Sequence, residues 1–260
     1  MPAFVALDGV SHAYGGAGNA LAVEGLSISV ETGEFAAVVG PSGCGKSTLM
    51  KLATGLQFPH IGSVQVAGEI IRAPVKIAGM AFQAPTLLPW RTTRENLLLP
   101  LEIVQPYRSQ MRRRKKEFRQ RAENLLASVG LAGQGEKFPW ELSGGMQQRT
   151  SLCRALIHEP KLLMLDEPFG ALDAFTREEL WCVIRDLHAA RKITIVLVTH
   201  DLREAVFLAD RVFVMSARPG RIVVERRIEL PRPRDIDVTF TTAFQETVQE
   251  LRSHIVKARA

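Results

Sequence analysis

The sequence predicts an α/β protein built on buried parallel strands, with an antiparallel hairpin unit at its start and a helical insertion in its middle. Three observations carry this. Phe35 to Val39, Leu162 to Leu165 and Ile193 to Val198 are short, continuously apolar runs, each followed by polar residues and then a helical pattern. Val5 to Val10 and Leu26 to Val30 carry alternating or β-branched apolar residues around a glycine-rich turn at Gly15 to Gly18. From about Arg91 to Pro160 strand signals disappear and helical periodicity takes over.

In chain order, the opening hairpin gives way to the Phe35 to Val39 strand, a glycine-rich stretch from Gly40 to Lys46, and a helix from Thr48 to Leu56. Strand, loop and helix in that order are what a phosphate site requires. In the helical insertion Phe118, Ala122, Leu125, Leu126 and Val129 recur at helical spacing and form one apolar stripe. After His200 the chain reads as a hairpin from Val212 to Ile228, a turn at Pro231 and Pro233, and a final helix. The sequence therefore divides into a core of residues 1–90 and 161–260 and a helical lobe of residues 91–160.

Composition bounds the function. The 260 residues are 46% hydrophobic and 23% charged, which suits a globular domain with a sizeable core. No apolar run approaches the roughly 20 residues needed to cross a bilayer, and the N-terminal residues lack the pattern of a secretion signal. Three scattered cysteines, Cys44, Cys153 and Cys182, suggest neither a disulfide framework nor a metal site, and fit the cytosol. The net charge of +6 permits nucleic acid, anionic lipid or phosphate partners. It is local: Arg108 to Arg121 holds eight basic residues and one acid, Glu117, so the rest of the chain sums to −1. That run reads as a solvated helix face or as a surface for anionic lipid; only Phe118 accompanies it, so nothing there stacks nucleic-acid bases.

Three motifs carry chemistry. Gly40, Pro41, Ser42, Gly43, Cys44, Gly45, Lys46, Ser47 and Thr48 satisfy GxxxxGK[S/T]. Its glycines let backbone N–H groups turn inward onto phosphate oxygens beside the positive end of a helix, with Lys46 reaching the β- and γ-phosphates and Ser47 ligating Mg²⁺. Asp166 and Glu167 stand at the C-terminal end of an apolar strand, where open parallel sheets keep their ligands. Asp166 suits Mg²⁺, directly or through water, and Glu167 suits a base acting on water in line with the γ-phosphate. Leu142 to Arg149 reads LSGGMQQR: Ser143 is a good N-cap, and Gly144 and Gly145 leave N–H groups bare at a helix start, a second anion site.

With these motifs in this order, the sequence resembles the ATP-binding subunit of an ATP-binding-cassette transporter over nearly its whole length. The resemblance implies a P-loop NTPase (RecA-like) core with an N-terminal antiparallel β subdomain and an inserted α-helical lobe carrying the signature. It implies that Ser143, Gly144, Gly145, Met146 and Gln147 touch ATP held by a second cassette, so that two subunits enclose two nucleotides head to tail. Met146 stands where the commonest signature has Gln, a frequent variation among importers. Gln83 matches the loop glutamine that senses Mg²⁺ and the attacking water, and His200 the switch histidine at the γ-phosphate. Asp173, in Ala171-Leu172-Asp173, matches the loop crossing the dimer interface and equally suits an N-cap. Tyr14 aligns with the ring that stacks on adenine, Gly15 and Gly16 giving the base room; a packed surface ring is its other reading.

A narrower resemblance, in Gln83 to Arg91, Phe169 to Arg177 and Ala217 to Ile222, is to the subgroup serving nitrate, sulfonate and taurine importers. Ala84, Thr86 and Arg203 depart from that subgroup's usual residues. The stretch Leu87 to Trp90 suits either a groove for a helix of a membrane partner or simple lobe packing. The expected cofactors are ATP and Mg²⁺. Expected partners are a second ATPase subunit, identical or paired, transmembrane permease subunits and an extracytoplasmic substrate-binding protein, with no nucleic acid. The expected location is the cytoplasmic face of the inner membrane, held through the permease. A repair or translation cassette would carry a coiled-coil insertion or two cassettes per chain, and a P-loop phosphotransferase would have no reason for LSGGMQQR.

Overall fold

The computed structural model describes residues 3–15, 20–170 and 172–258; Gly16 to Gly18 of the first turn and Ala171 lie outside the described residues. The strands are β1 Val5–Ala13, β2 Leu21–Val30, β3 Phe35–Val39, β4 Ile61–Val66, β5 Glu69–Ile70, β6 Ala78–Ala81, β7 Leu162–Asp166, β8 Thr194–Thr199, β9 Arg211–Met215 and β10 Ile222–Arg227. The helices are α1 Lys46–Ala53, α2 Thr93–Ile103, α3 Tyr107–Gln110, α4 Lys115–Ser128, α5 Gly144–Leu156, α6 Ala174–Arg191, α7 Leu202–Leu208 and α8 Thr242–Lys257. The chain divides into two compact units, Met1–Val75 with Leu187–Ala260, and Lys76–Asp186.

The first unit holds two sheets. One is antiparallel, in the order β2-β1-β4-β5. In the other, β3 lies between β8 and β9 and is parallel to both, and β10 closes on β9 antiparallel. All five residues of β3 and all six of β8 are buried, as the unbroken apolar runs require of a sheet covered on both faces. Strands β4 and β5 carry no such run. Ile61 and Gly62 are exposed, and β4 forms because it pairs with β1 in the register Val5 with Val66. Gly62 is in the left-handed region, where a Cβ would overlap the carbonyls of Asp8 and Gly9.

The second unit pairs β6 with β7 in parallel and carries α2 to α5 and the start of α6. The apolar stripe is realised: Phe118, Ala122, Leu125 and Leu126 of α4, and Val129 just beyond it, are all buried. Each large member contributes about 1.5–3 kcal/mol of burial. Helix α2 starts in a capping box, Thr92 accepting from the Glu95 N–H while Glu95 accepts from the Thr92 N–H.

Three buried histidines bond to carbonyls: His12 to Phe58 (2.9 Å), His158 to Ala78 (3.3 Å) and His188 to Gly33 (2.9 Å). Burial is the largest influence on each and holds its pKa below the ordinary histidine value. The unfolded chain, titrating near about 6.5, then binds more protons than the folded one as the pH falls. Their contribution to stability is present above that pH and is lost below it. The melting temperature is expected to be lower at about pH 5 than at about pH 7, and the difference to shrink in a His158→Gln, His188→Gln variant. A pH-independent melting temperature over that range would contradict it.

Candidate active site

In the first unit the site is organised by register. Val39 of β3 pairs with Thr199 of β8. The next residues in each strand, Gly40 and His200, therefore leave the sheet side by side, so the phosphate loop opens next to the predicted switch histidine. Beyond His200, Asp201 caps α7 by accepting from the Arg203 N–H at 2.8 Å.

The loop itself is shaped by close approach. Gly43 and Gly45 are in the left-handed region at φ 76° and 100°. A Cβ on Gly45 would overlap Val23 and the Ala22 carbonyl, and one on Gly40 would meet Cys44 Sγ and the Met215 carbonyl. Lys46 is buried, its ammonium donating to the Gly40 and Pro41 carbonyls at 2.9 and 3.0 Å. Those partners are neutral, so the buried charge stays uncompensated at the mouth of α1, which suits a polyanion. Ser47 and Thr48 follow in the first turn of α1, with Ser42 exposed on the loop. The Tyr14 hydroxyl lies 3.2 Å from Thr48 Oγ1, and Lys51 Nζ sits 5.5 Å from its ring centre. The tyrosine is thus tethered to the helix that begins at the loop.

One supporting residue was not read from the sequence. Arg218 Nε donates to the Gly43 carbonyl at 2.8 Å. That bond fixes one side of the Gly43–Cys44 peptide, and on the other side the Cys44 N–H donates to the Pro41 carbonyl at 3.4 Å. The segment behind it is pinned to β2: the Glu24 N–H donates to the Gly220 carbonyl and the Gly220 N–H to Ala22. A Cβ on Gly220 would overlap the Cys44 carbonyl. The run Ala217 to Ile222 was visible as a subgroup motif, but a contact 175 residues away has no sequence signal. Arg218→Ala is expected to raise the apparent KM for ATP about fivefold, the roughly 1 kcal/mol of one solvent-exposed hydrogen bond, with kcat little changed. An unchanged KM in steady-state assays would remove Arg218 from this role.

In the second unit a parallel register does the same work. Ala81 of β6 pairs with Leu165 of β7. Gln83 and Glu167, each two residues on, therefore emerge together, with Asp166 ending β7. Glu167, directly after β7, is in the left-handed region at φ 45°, an unfavourable backbone for a glutamate. Gln83 Nε2 lies 3.7 Å from where a Cβ on Gly170 would stand.

The LSGGMQQR octet begins α5. Ser143 is its N-cap, Oγ accepting from the Met146 N–H at 3.3 Å, so the Gly144 and Gly145 N–H groups open the helix without an intrahelical acceptor. Gln147 turns back, donating to the Pro139 and Leu142 carbonyls at 3.0 and 3.2 Å. Asp173 accepts from the Thr176 N–H at 3.0 Å, the N-cap reading; hydrogen bonds to that helix start hold its carboxyl below the usual range. Ser143, Gly144, Gly145, Met146 and Asp173 all line one hollow of about 550 Å³. Helix α5 also fixes the segment after Gln83. Gln148 Nε2 donates to the Phe82 carbonyl at 3.0 Å, and Arg154 donates to Pro85 and to both oxygens of Thr86 at 2.8–3.0 Å. Past that clamp Trp90 is 70% exposed.

Each unit carries oxygen donors of the kind Mg²⁺ prefers when it arrives with phosphates, a hydroxyl from Ser47 in the first and the Asp166 carboxylate and Gln83 amide in the second.

The family model described as ABC transporter matches residues 23–170, more than half of the chain. This chain belongs to the ABC transporter ATP-binding family. The cassette is 41% identical to the aliphatic sulfonates import ATP-binding protein SsuB of Bacillus licheniformis, over 89% of this chain and 87% of that one. It is 41% identical to the bicarbonate transport ATP-binding protein CmpD of Synechocystis, over 90% and 82%. Among solved structures, the ATP-binding cassette MJ0796 in a dimeric post-hydrolysis state with ADP and Pi is 28% identical, with a TM-score of 0.74 over 87% of this chain and all of that one. The cbiO1 protein of Clostridium perfringens shares the fold, with a TM-score of 0.77. The cassette is thus an ATP-binding and ATP-hydrolysing subunit, in the branch that holds sulfonate-import and bicarbonate-transport ATP-binding proteins. No helix among the described residues is long and apolar enough to cross a membrane.

Proposed function

We propose that the cassette is the motor of an importer for a small sulfonate, nitrate, taurine or related solute, at the cytoplasmic face of the inner membrane. The observation that carries the chemistry is the pair of registers bringing Gly40 beside His200 and Gln83 beside Glu167. The importer reading leans on the likeness to SsuB and CmpD across most of the chain.

In this reading the loop from Gly40 to Thr48 wraps the phosphates with its N–H groups, and Lys46 leaves its two carbonyls to bind the β- and γ-oxygens. Tyr14 offers its ring to adenine. Ser47, Asp166 and Gln83 would hold Mg²⁺, which would offset charge on the transferring phosphoryl group. Glu167 Oε accepts the proton of the attacking water, and His200 steadies the γ-phosphate oxygens. Ser143, Gly144 and Gly145 present the N-terminus of α5 to the nucleotide of a second cassette, with Met146 and Gln147 shaping that turn and Asp173 at the facing loop. Closing and reopening that dimer drives a separate permease. The exposed Trp90, four residues past the Thr86 that Arg154 clamps, suits its docking. A substrate-binding protein on the far side completes the importer.

The test is co-purification from membranes followed by reconstitution. A polytopic permease should come down with the cassette, and ATP hydrolysis in proteoliposomes should rise with a sulfonate or nitrate and its binding protein. Capture of nucleic acid without a permease would overturn the reading.

A further inference from the structure

The cations of the basic run are largely not used by the fold. Of the eight between Arg108 and Arg121, Arg114 pairs with Glu117 and lies over Phe118. Arg121 pairs with Glu159, donates to the Ile157 carbonyl at 3.1 Å and lies over Tyr107. The other six, Arg108, Arg112, Arg113, Lys115, Lys116 and Arg119, are exposed and have no ion-pair partner among the described residues. Lys115, Lys116 and Arg119 stand with Arg94, Gln120 and Glu123 around a hollow of about 540 Å³. The one acid there is already engaged: Arg94 Nε donates to Glu123 at 2.5 Å and also pairs with Glu136. Three cations thus face this hollow uncompensated, and Arg108, Arg112 and Arg113 extend the same charge along the preceding chain.

We infer that the face from Arg108 to Arg119 docks on the phosphate headgroups of anionic phospholipid. The chemistry calls for phosphate anions, and the breadth of the patch selects a lipid surface. The six free cations are spread over two helices, α3 and α4, and the turn between them, more than a single phosphate held in the hollow would engage. A single strand would find no exposed ring here to stack its bases on, since Phe118 is buried and the Tyr107 ring packs edge-on against it beneath Arg121. On an anionic leaflet each such cation contributes about fivefold to partitioning. This goes beyond the motor reading and orients the cassette at the membrane by a contact of its own.

The experiment is co-sedimentation of the purified, full-length cassette with vesicles of phosphatidylglycerol or of phosphatidylcholine, beside its ATP hydrolysis in solution. The parent should bind the first and not the second, with affinity falling as salt rises. Lys115→Gln, Lys116→Gln, Arg119→Gln should lose roughly 100-fold in binding. Arg191→Gln, Arg252→Gln, Lys257→Gln, with the same change in net charge elsewhere, should bind as the parent does. Hydrolysis in solution should be equal in all three, so a hydrolysis failure would count against the motor reading and leave the lipid result readable. No binding to phosphatidylglycerol, equal losses in both variants, or preferential capture of a duplex oligonucleotide through the same three residues would each overturn the proposal.

Discussion

Glu167→Gln is expected to keep ATP binding, to accumulate an ATP-dependent dimer and to lose between about a hundred- and ten-thousand-fold of turnover. The amide keeps the size of the carboxylate and one of its oxygens, so the β7 end and the contact of Gly170 N–H with the Glu167 carbonyl at 3.2 Å persist. What it cannot do is accept a proton from water at neutral pH. The backbone sharpens the comparison. Glutamate and glutamine meet the same cost at φ 45°, so the variant isolates the proton acceptor from the backbone strain. Hydrolysis at the parent rate, measured as phosphate release, would show that another group is the base.

Ser143→Arg is expected to leave nucleotide binding by the single subunit intact while abolishing the ATP-dependent dimer, read by light scattering. Two effects are mixed in it. The substitution removes the N-cap of α5, which costs about 1 kcal/mol, and fills a hollow where Thr176 already lies 3.1 Å from the Cβ position of Gly145. Ser143→Asp separates them. Aspartate caps as well as serine, so stability should hold, yet its charge repels the phosphates the helix start is proposed to bind. If both variants dimerise undiminished with ATP, the sharing of nucleotide between subunits is wrong.

What the sequence made legible follows the physics of each element. Strands β3, β7 and β8 announced themselves because a strand buried on both faces reads as a nearly continuous apolar run. The stripe of α4 and the cap at Ser143 were likewise local, written in a few neighbouring residues. Strand β4 was not, because its first residues are exposed and its existence depends on β1, more than fifty positions earlier. Within the site, every motif residue could be named, but not what holds it. Neither Arg218 on Gly43 nor Arg154 on Pro85 and Thr86 obeys a period or a spacing. Asp173 had two readings, and its bond to the Thr176 N–H realises the cap.

The position of β3 bears on how the chain comes into being. Among the described residues its strand partners are β8 and β9, which begin at residues 194 and 211, whereas the phosphate loop it carries starts at residue 40. On the ribosome, that loop emerges early and waits through more than 150 further residues before either neighbour exists to hold it. The two strands that flank β3 are therefore both present only once residue 215 has been added. The support of the phosphate loop is thus among the last parts of the first unit to be assembled, although the loop itself is among the first to be made.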